Sequence, residues 1–86
     1  MKVEVSLFGA FREHEPSAKV TLELADDAHV SDLRRVLSAH GRAHWPGFKD
    51  GLLQRSAFAS DTRILRDGES LPANARMVVL PPVGGG

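Results

Sequence analysis

Residues 76–80 read Arg-Met-Val-Val-Leu, an apolar run of the length of one strand. Such a run is typical of a strand buried on both faces of a sheet, and we expect it at the centre of that sheet. Near the start of the chain, residues 2–8 read Lys-Val-Glu-Val-Ser-Leu-Phe. Their alternation places Val3, Val5 and Leu7 on one face, which predicts a half-buried strand. A sheet containing these two strands is therefore the predicted centre of the fold.

A second alternating segment and a helical pattern follow the first strand. Residues 18–24 predict a strand antiparallel to the first and joined to it by a loop. Apolar residues then recur with the spacing of one helix face over about residues 30–40. Arg34, Arg35 and Ser38 are expected to face outward, and Gly41 is predicted to end the helix, because a C-terminal cap favours a residue that tolerates positive φ. The candidate N-terminal caps are Asp26, Asp27 and Ser31.

The middle of the chain has weaker patterns. The segment Trp45-Pro46-Gly47-Phe48 is predicted to be irregular, with its aromatic side chains covering one edge of the core. Scattered β-formers over residues 56–65 predict a strand, and the pair Asp67-Gly68 favours a tight reversal with positive φ. The order of segments predicts an α+β domain in which one helix covers a sheet.

Composition limits the classes of function. The chain has 86 residues, of which 42% are hydrophobic and 26% charged, as in one ordinary small folded domain. Eleven basic and eleven acidic side chains cancel, which argues against nucleic acid as the main partner. There is no cysteine, so disulfides and thiol chemistry are excluded. The sequence has neither a signal-peptide pattern nor an apolar run long enough for a membrane span, which predicts a cytoplasmic protein that does not bind membranes.

Residues 81–86, Pro-Pro-Val-Gly-Gly-Gly, carry no charge and follow the last predicted strand directly. The two prolines favour an extended exit from the domain, and the glycines give a thin, flexible tip. Six extended residues reach roughly 20 Å. Such a tail is suited to threading into another protein and presenting a terminal carboxylate there, although a frayed terminus is the simpler alternative.

The segments Leu7-Phe8-Gly9-Ala10-Phe11-Arg12-Glu13 and Leu80-Pro81-Pro82-Val83-Gly84-Gly85-Gly86 resemble the MoaD/ThiS family of ubiquitin-like sulfur carriers. The ending Pro-Pro-Val-x-Gly-Gly is similar to that of the small subunit of molybdopterin synthase. The resemblance implies a β-grasp domain over residues 1–80, with a mixed sheet of four to five strands and one main helix, and a flexible tail over residues 81–86. The segment Asn74-Ala75-Arg76 departs from that branch, where an acidic Gly-Asp-Glu turn is common, and residues 58–71 are slightly longer than usual.

The resemblance also implies a chemistry. An E1-like, MoeB-like adenylating enzyme would use ATP to activate the carboxylate of Gly86, and a sulfur donor would convert it to a thiocarboxylate for a MoaE-like large subunit of molybdopterin synthase. The carrier would bind no cofactor and supply no catalytic residue. Gly84 and Gly85 would thread into the partner, Val83 would dock in a small apolar pocket, and Pro81 and Pro82 would limit the entropy lost when the tail is held.

Three residues are candidates for the partner interface. By resemblance, Phe8 and Leu80 lie beside the exit of the tail, and Arg12 is a candidate for an ion pair with the partner. The patterns leave alternatives open: core packing for Phe8, core packing in preference for Leu80, and ordinary solvation for Arg12. A metal site is not expected, because Gly41 would interrupt the helix between His40 and His44 and the sequence offers no obvious third ligand.

Other functions remain open at the level of sequence. A related carrier could supply sulfur for thiamine, cysteine, thiolated tRNA or a secondary metabolite. A chain of this kind could also act as a ubiquitin-like modifier joined to lysines, or as a plain binding module.

Overall fold

The computed structural model describes residues 1–82. They form five strands and two α-helices, with a 3-10 helix in the first connection. The strands are β1 (Lys2–Leu7), β2 (Lys19–Glu23), β3 (Ala57–Ala59), β4 (Ile64–Leu65) and β5 (Arg76–Leu80). The helices are the 3-10 helix (Gly9–His14), α1 (Val30–His44) and α2 (Asp50–Gln54). The predicted α+β architecture, with a mixed sheet and one main helix, is confirmed.

The sheet has the strand order β2-β1-β5-β3-β4. β1 and β5 are parallel, whereas the β1–β2, β3–β5 and β3–β4 pairs are antiparallel. The predicted central position of the last strand is confirmed. Its predicted burial on both faces is wrong, because Met77 and Val79 are buried but Val78 and Leu80 are only half-buried. The reason is that the hydrophobic core lies on one face of the sheet, under α1.

Alternation along each strand sends one set of side chains into this core. Val3, Val5 and Leu7 from β1 meet Val30, Leu33 and Leu37 from α1, all buried. The predicted role of the segment around Trp45 is confirmed, since Trp45 is buried and Phe48 packs against the core. The short helix α2 was not predicted, and residues 56–65 form two short strands, within the four to five strands implied by the resemblance. Neither α-helix in the described part of the chain is long and apolar enough to cross a membrane.

The predicted end of the main helix at Gly41 is wrong. α1 continues through Gly41 to His44. A β-carbon on Gly41 would lie 2.6 Å from Cδ1 of the Phe48 ring, so a side chain at this position would collide with the residue that closes the core. Gly41 therefore serves close packing inside the helix.

The predicted N-terminal caps Asp26, Asp27 and Ser31 are also wrong. The N-cap of α1 is His29, whose backbone N–H donates to Oδ2 of Asp32 at 2.8 Å. This hydrogen bond, together with the one from Arg35, holds the pKa of Asp32 below its usual range. The helix thus begins with a carboxylate folded back over its first turn.

Arg34 does not face outward as predicted, although Arg35 does, with 72% of its side chain exposed. The Arg34 side chain is 13% exposed. One terminal nitrogen donates to the carbonyl oxygens of Leu53 and Ser56 at 2.7 and 2.8 Å. The rest of the guanidinium binds both carboxylate oxygens of Asp67 at 2.8 and 3.2 Å. Arg34 therefore ties α1 to the end of α2 and to the reversal before β5.

That reversal forms, but without the positive φ predicted for Gly68. Instead, the Glu69 backbone N–H donates to the Arg66 carbonyl at 3.0 Å. The Glu69 carboxylate accepts hydrogen bonds from the Arg63 guanidinium at 2.7 Å and the Arg66 backbone N–H at 2.6 Å. These bonds lower the pKa of Glu69 and replace the conformational freedom of glycine as the factor that closes the turn.

Candidate partner-binding surface and tail exit

Parallel pairing brings the ends of β1 and β5 to one edge of the sheet. Leu7 and Val79 pair there, and on the other side of β5 Leu80 pairs with Ala57 at the start of β3. The last residue of β5 is thus held by its neighbour in β3. The chain then continues through Pro81, which is half-buried, to Pro82, which is exposed.

The outer face of the sheet, opposite the core, is apolar near this exit. Register places Val78 beside Ala59, and Ala59 beside Ile64, so one apolar row runs from β5 to β4. Phe8 follows β1 in an extended conformation and is 47% exposed, and Ile64 is 61% exposed. We call this surface the apolar strip; it consists of Phe8, Ala57, Ala59, Ile64, Val78 and Leu80.

The rest of the outer face, on β2 and the start of β1, is polar. It presents Lys2, Thr21 and Glu23, and Lys19 forms an ion pair with Glu4 at 3.6 Å. The face is therefore divided into a charged half and an apolar half, and the tail leaves from the apolar half. An exposed apolar surface with a polar border is typical of a protein-binding site.

The base of the tail packs against the turn that follows β1. Gly9 has a φ of +57°, and a β-carbon at this position would lie 2.7 Å from Cγ of Pro81. The Pro81 ring therefore lies directly on the backbone of the first residue of the 3-10 helix. Since Gly9 follows Phe8, this contact also places the start of the tail next to the apolar strip.

Comparison with known proteins decides which family this arrangement represents. Residues 5–86 match the model of the ThiS family. The chain belongs to the ThiS family. It is 30% identical to the molybdopterin synthase sulfur carrier subunit of Chlamydomonas reinhardtii over the whole of both chains.

Solved structures confirm the ubiquitin-like β-grasp fold of this ThiS-family chain. SAMP1 from Haloferax volcanii is 26% identical over the whole of both chains, with a TM-score of 0.70. The ubiquitin-like domain of Dsk2 from Plasmodium falciparum resembles this chain in fold, with a TM-score of 0.58. The two are 19% identical, and the match covers 95% of this chain and all of the Dsk2 domain.

The structure brings two of the predicted interface residues of this ThiS-family chain together. Phe8 and Leu80 both lie on the apolar strip, and neither belongs to the buried core. Arg12 is exposed on the 3-10 helix, one turn beyond Gly9. The predicted threading residues Val83, Gly84 and Gly85 and the predicted reactive residue Gly86 lie outside the described residues, so their roles stay predictions.

The sequence did not identify the other members of the apolar strip. Val78 was assigned to a strand buried on both faces, and the segment containing Ala57, Ala59 and Ile64 had no clear pattern. The available signal is the pair Ile64-Leu65, one exposed and one buried. This pair shows that Ile64 belongs to the apolar strip only when the pairing of β4 with β3 is known.

Three of the four histidines of the ThiS-family chain, His14, His40 and His44, pack near Trp45, whereas His29 lies at the start of α1. The predicted interruption of the helix between His40 and His44 is wrong, since α1 continues through Gly41 and the two rings lie 4.7 Å apart. The His14 ring stacks on Trp45 at 4.8 Å, and Nε1 of Trp45 donates to the Glu15 carboxylate at 2.8 Å. Within residues 1–82, no group of three potential ligands could hold a metal ion.

The carboxyl groups with lowered pKa have structural partners away from the apolar strip. Besides Asp32 and Glu69, the pKa of Asp50 is lowered, chiefly because the Ser38 hydroxyl donates to its carboxylate. Ser38 is buried on α1, so its predicted outward orientation is wrong, and Asp50 opens α2, so this bond joins the two helices. All three perturbed carboxyl groups stabilise helix starts or turns.

Proposed function

We propose that this chain is a sulfur carrier whose Gly86 carboxylate is converted to a thiocarboxylate and supplies sulfur for molybdopterin synthesis. The observation that carries the proposal is the base of the Pro-Pro-Val-Gly-Gly-Gly tail, which leaves the sheet beside the apolar strip in a chain of the ThiS family. Family membership supports the carrier role. The similarity to a molybdopterin synthase sulfur carrier subunit supports the pathway.

The chemistry needs no catalytic group on the carrier. A free carboxylate resists nucleophilic attack, so an oxygen of the Gly86 carboxylate first attacks the α-phosphorus of ATP, and pyrophosphate leaves. With hydrosulfide as the simplest sulfur donor, its sulfur attacks the carbonyl carbon of the acyl-adenylate and AMP leaves with the bridging oxygen. The product is a thiocarboxylate, and one proton is released. The adenylating partner binds ATP and supplies the acid, base and phosphate-binding groups.

Two protein partners follow from this scheme. An E1-like adenylating enzyme loads the carrier, and the large subunit of molybdopterin synthase receives the sulfur. The apolar strip gives each partner a docking surface that begins where the tail leaves the domain. Docking on a folded surface places the tail at the partner's active site without any sequence-specific contact to the glycines.

Mass spectrometry tests the proposal directly. The intact protein is weighed before and after incubation with ATP, a MoeB-like adenylating enzyme and sulfide. We expect a mass increase equal to the difference between sulfur and oxygen, located at Gly86 by fragmentation. The matched control is the same chain with one alanine appended after Gly86, which keeps the domain and removes the reactive carboxylate from its position. Sulfur incorporation into the extended chain, or none into the native chain, would contradict the proposal.

The similarity to SAMP1 favours a second function, because a solved structure of that protein describes it as small archaeal modifier protein 1. In this role the activated Gly86 carbonyl would be attacked by a lysine amine of another protein, forming an isopeptide bond and releasing AMP. Higher-mass conjugates that carry a Gly86–lysine linkage in extracts of the source cells would establish it. Formation of a thiocarboxylate without any conjugate would support the carrier role and contradict the modifier role.

A further inference from the structure

The turn after β1 has a backbone conformation that depends on glycine. Gly9 has a φ of +57°, in the left-handed region, and begins the 3-10 helix. The helix is closed by the Phe11 backbone N–H, which donates to the Phe8 carbonyl at 3.2 Å. A left-handed residue at this point turns the chain sharply away from the end of β1. Two glycines among residues 1–82 have a positive φ, Gly9 and Gly47.

Conformation alone does not account for Gly9, because a second constraint acts on the same atom. The position of a β-carbon on Gly9 lies 2.7 Å from Cγ, 3.6 Å from Cδ and 3.9 Å from Cβ of Pro81. At Gly47, whose φ is +74°, a β-carbon would meet nothing within 4 Å. The space at Gly9 is therefore occupied by the proline ring, whereas the space at Gly47 is open.

This contact holds the base of the tail on the side away from β3. Leu80 is fixed by its pairing with Ala57 in β3, and Pro81 is fixed on its other side by Gly9. Pro82 is exposed. The chain thus leaves the domain at Pro82, along a direction set by the seated ring of Pro81 and the restricted φ of proline.

We propose that Gly9 is a positioning residue for sulfur transfer: by leaving room for the Pro81 ring, it fixes the direction in which the tail leaves the sheet relative to the apolar strip. This inference rests on the proposed carrier function. A partner docked on the apolar strip must receive Gly86 at a fixed distance and angle. The position of the base limits where Gly86 can reach, and a misplacement of about 1 Å at a reacting group can cost about 100-fold in rate.

The test compares Gly9→Ala with Gly47→Ala. Both substitutions place a β-carbon at a positive φ and carry similar backbone strain, but the collision with Pro81 occurs only at Gly9. Three quantities are measured for each variant: the temperature of unfolding, the affinity of the unloaded carrier for the adenylating enzyme, and the rate of thiocarboxylate formation at saturating enzyme. We expect Gly9→Ala to lose at least as much stability as Gly47→Ala, because its β-carbon also collides with Pro81. Both variants should bind within about threefold of the wild type, whereas only Gly9→Ala loses about tenfold or more in rate.

Pro81→Ala provides an independent variant if Gly9→Ala does not fold. It removes the ring atom closest to Gly9 and keeps the glycine, so the domain should fold while the rate of thiocarboxylate formation falls several-fold. The double variant Gly9→Ala/Pro81→Ala should be no slower than Pro81→Ala alone, because the β-carbon remaining at position 81 is 3.9 Å away, an ordinary contact. Nuclear Overhauser contacts between the Gly9 α-protons and the Pro81 ring should be present in the wild type.

The outcomes separate this inference from the function on which it rests. If the wild type forms no thiocarboxylate, the proposed function fails and the inference fails with it. If the wild type is active and both Gly9→Ala and Pro81→Ala match its rate, the carrier function stands and the positioning role is wrong. Equal losses of rate in Gly9→Ala and Gly47→Ala would also overturn the inference, because they would reflect backbone strain alone.

Discussion

Gly41 lies in the interior of α1, where glycine is ordinarily unfavourable. Glycine is needed there because the Phe48 ring occupies the space of a β-carbon. We predict that Gly41→Ala lowers the free energy of unfolding by about 1–2 kcal/mol, since overpacking costs about 1–3 kcal/mol and helix propensity returns up to about 1 kcal/mol. Urea denaturation measures the change. The matched control is Gly51→Ala in α2, where a β-carbon meets nothing within 4 Å. That variant should be neutral or slightly more stable, and equal effects at both sites would contradict the packing argument.

Arg34 was predicted to lie at the surface, but its guanidinium makes four hydrogen bonds to Leu53, Ser56 and Asp67. We predict that Arg34→Ala lowers the free energy of unfolding by about 2–4 kcal/mol, because it removes the bonds to the Leu53 and Ser56 carbonyls and leaves Asp67 without its partner. Thermal and chemical denaturation measure the loss. Arg35→Ala, one residue further along α1, is the control and should change stability by less than about 1 kcal/mol. A similar effect of both substitutions would reduce Arg34 to an ordinary surface residue.

At the level of single elements, the ends of β1 and β5 carry the proposed interaction surface. We predict that Phe8→Ala weakens binding to the adenylating enzyme by about tenfold or more, since large aromatic side chains contribute most to the affinity of such surfaces. Stability should change little, because Phe8 is 47% exposed. Calorimetric titration gives the affinity. Thr21→Ala, on the charged half of the same face, should bind like the wild type. A loss of affinity in Thr21→Ala but not in Phe8→Ala would place the interface elsewhere.

The starts and reversals of elements depend on carboxylates, which makes stability dependent on pH. The pKa values of Asp32 and Glu69 are lowered in the folded state by hydrogen bonds to their ionised forms. Their contribution is therefore present above the unfolded pKa values of about 4, and it is lost as pH falls through the folded pKa values. We predict that the unfolding temperature drops as pH decreases below about 4.

The variant Glu69→Gln tests this pH dependence. It should unfold at a lower temperature than the wild type at neutral pH and should lose less on acidification, because one of the linked groups is gone. Glu23→Gln, on the exposed side of β2, serves as the control. An unchanged slope in Glu69→Gln would show that its carboxylate does not contribute to the acid transition.

Strands and the main helix were predictable because their signals are local. Alternation in β1 and β2 and the apolar stripe of α1 each depend on neighbours within two to four positions, and the structure follows them. The errors at Gly41 and Arg34 concern contacts with other segments, whereas the cap of α1 and the turn at Gly68 depend on side-chain contacts three residues apart. Gly41 opposite Phe48 and Arg34 opposite Asp67 have no signature in their own segments. Judged by residue type alone, Gly41 suggests the end of a helix and Arg34 suggests a solvated side chain.

At the level of the whole molecule, the candidate site also has a part that could be predicted from local sequence and a part that could not. The apolar character of Phe8 and Leu80 and the composition of residues 81–86 could be identified in the sequence, and resemblance supplied the chemistry. The remaining members of the apolar strip come from β3 and β4, whose register is fixed only when both pair beside β5. The packing of Pro81 on Gly9 joins positions 72 residues apart along the chain. Such contacts follow from the assembled sheet and cannot be inferred from periodicity.

The parallel pairing of β1 and β5 also has a mechanical consequence. A pulling force applied through the residues after Pro81 acts along the axis of β5, which is bonded to β1 on one side and β3 on the other. Such a force shears these backbone bonds together instead of opening them one after another as in an unzipping hairpin. The domain should therefore resist extraction by a machine that grips the chain after β5. We therefore expect the domain to stay folded on the surface of a docked partner that holds the tail under tension.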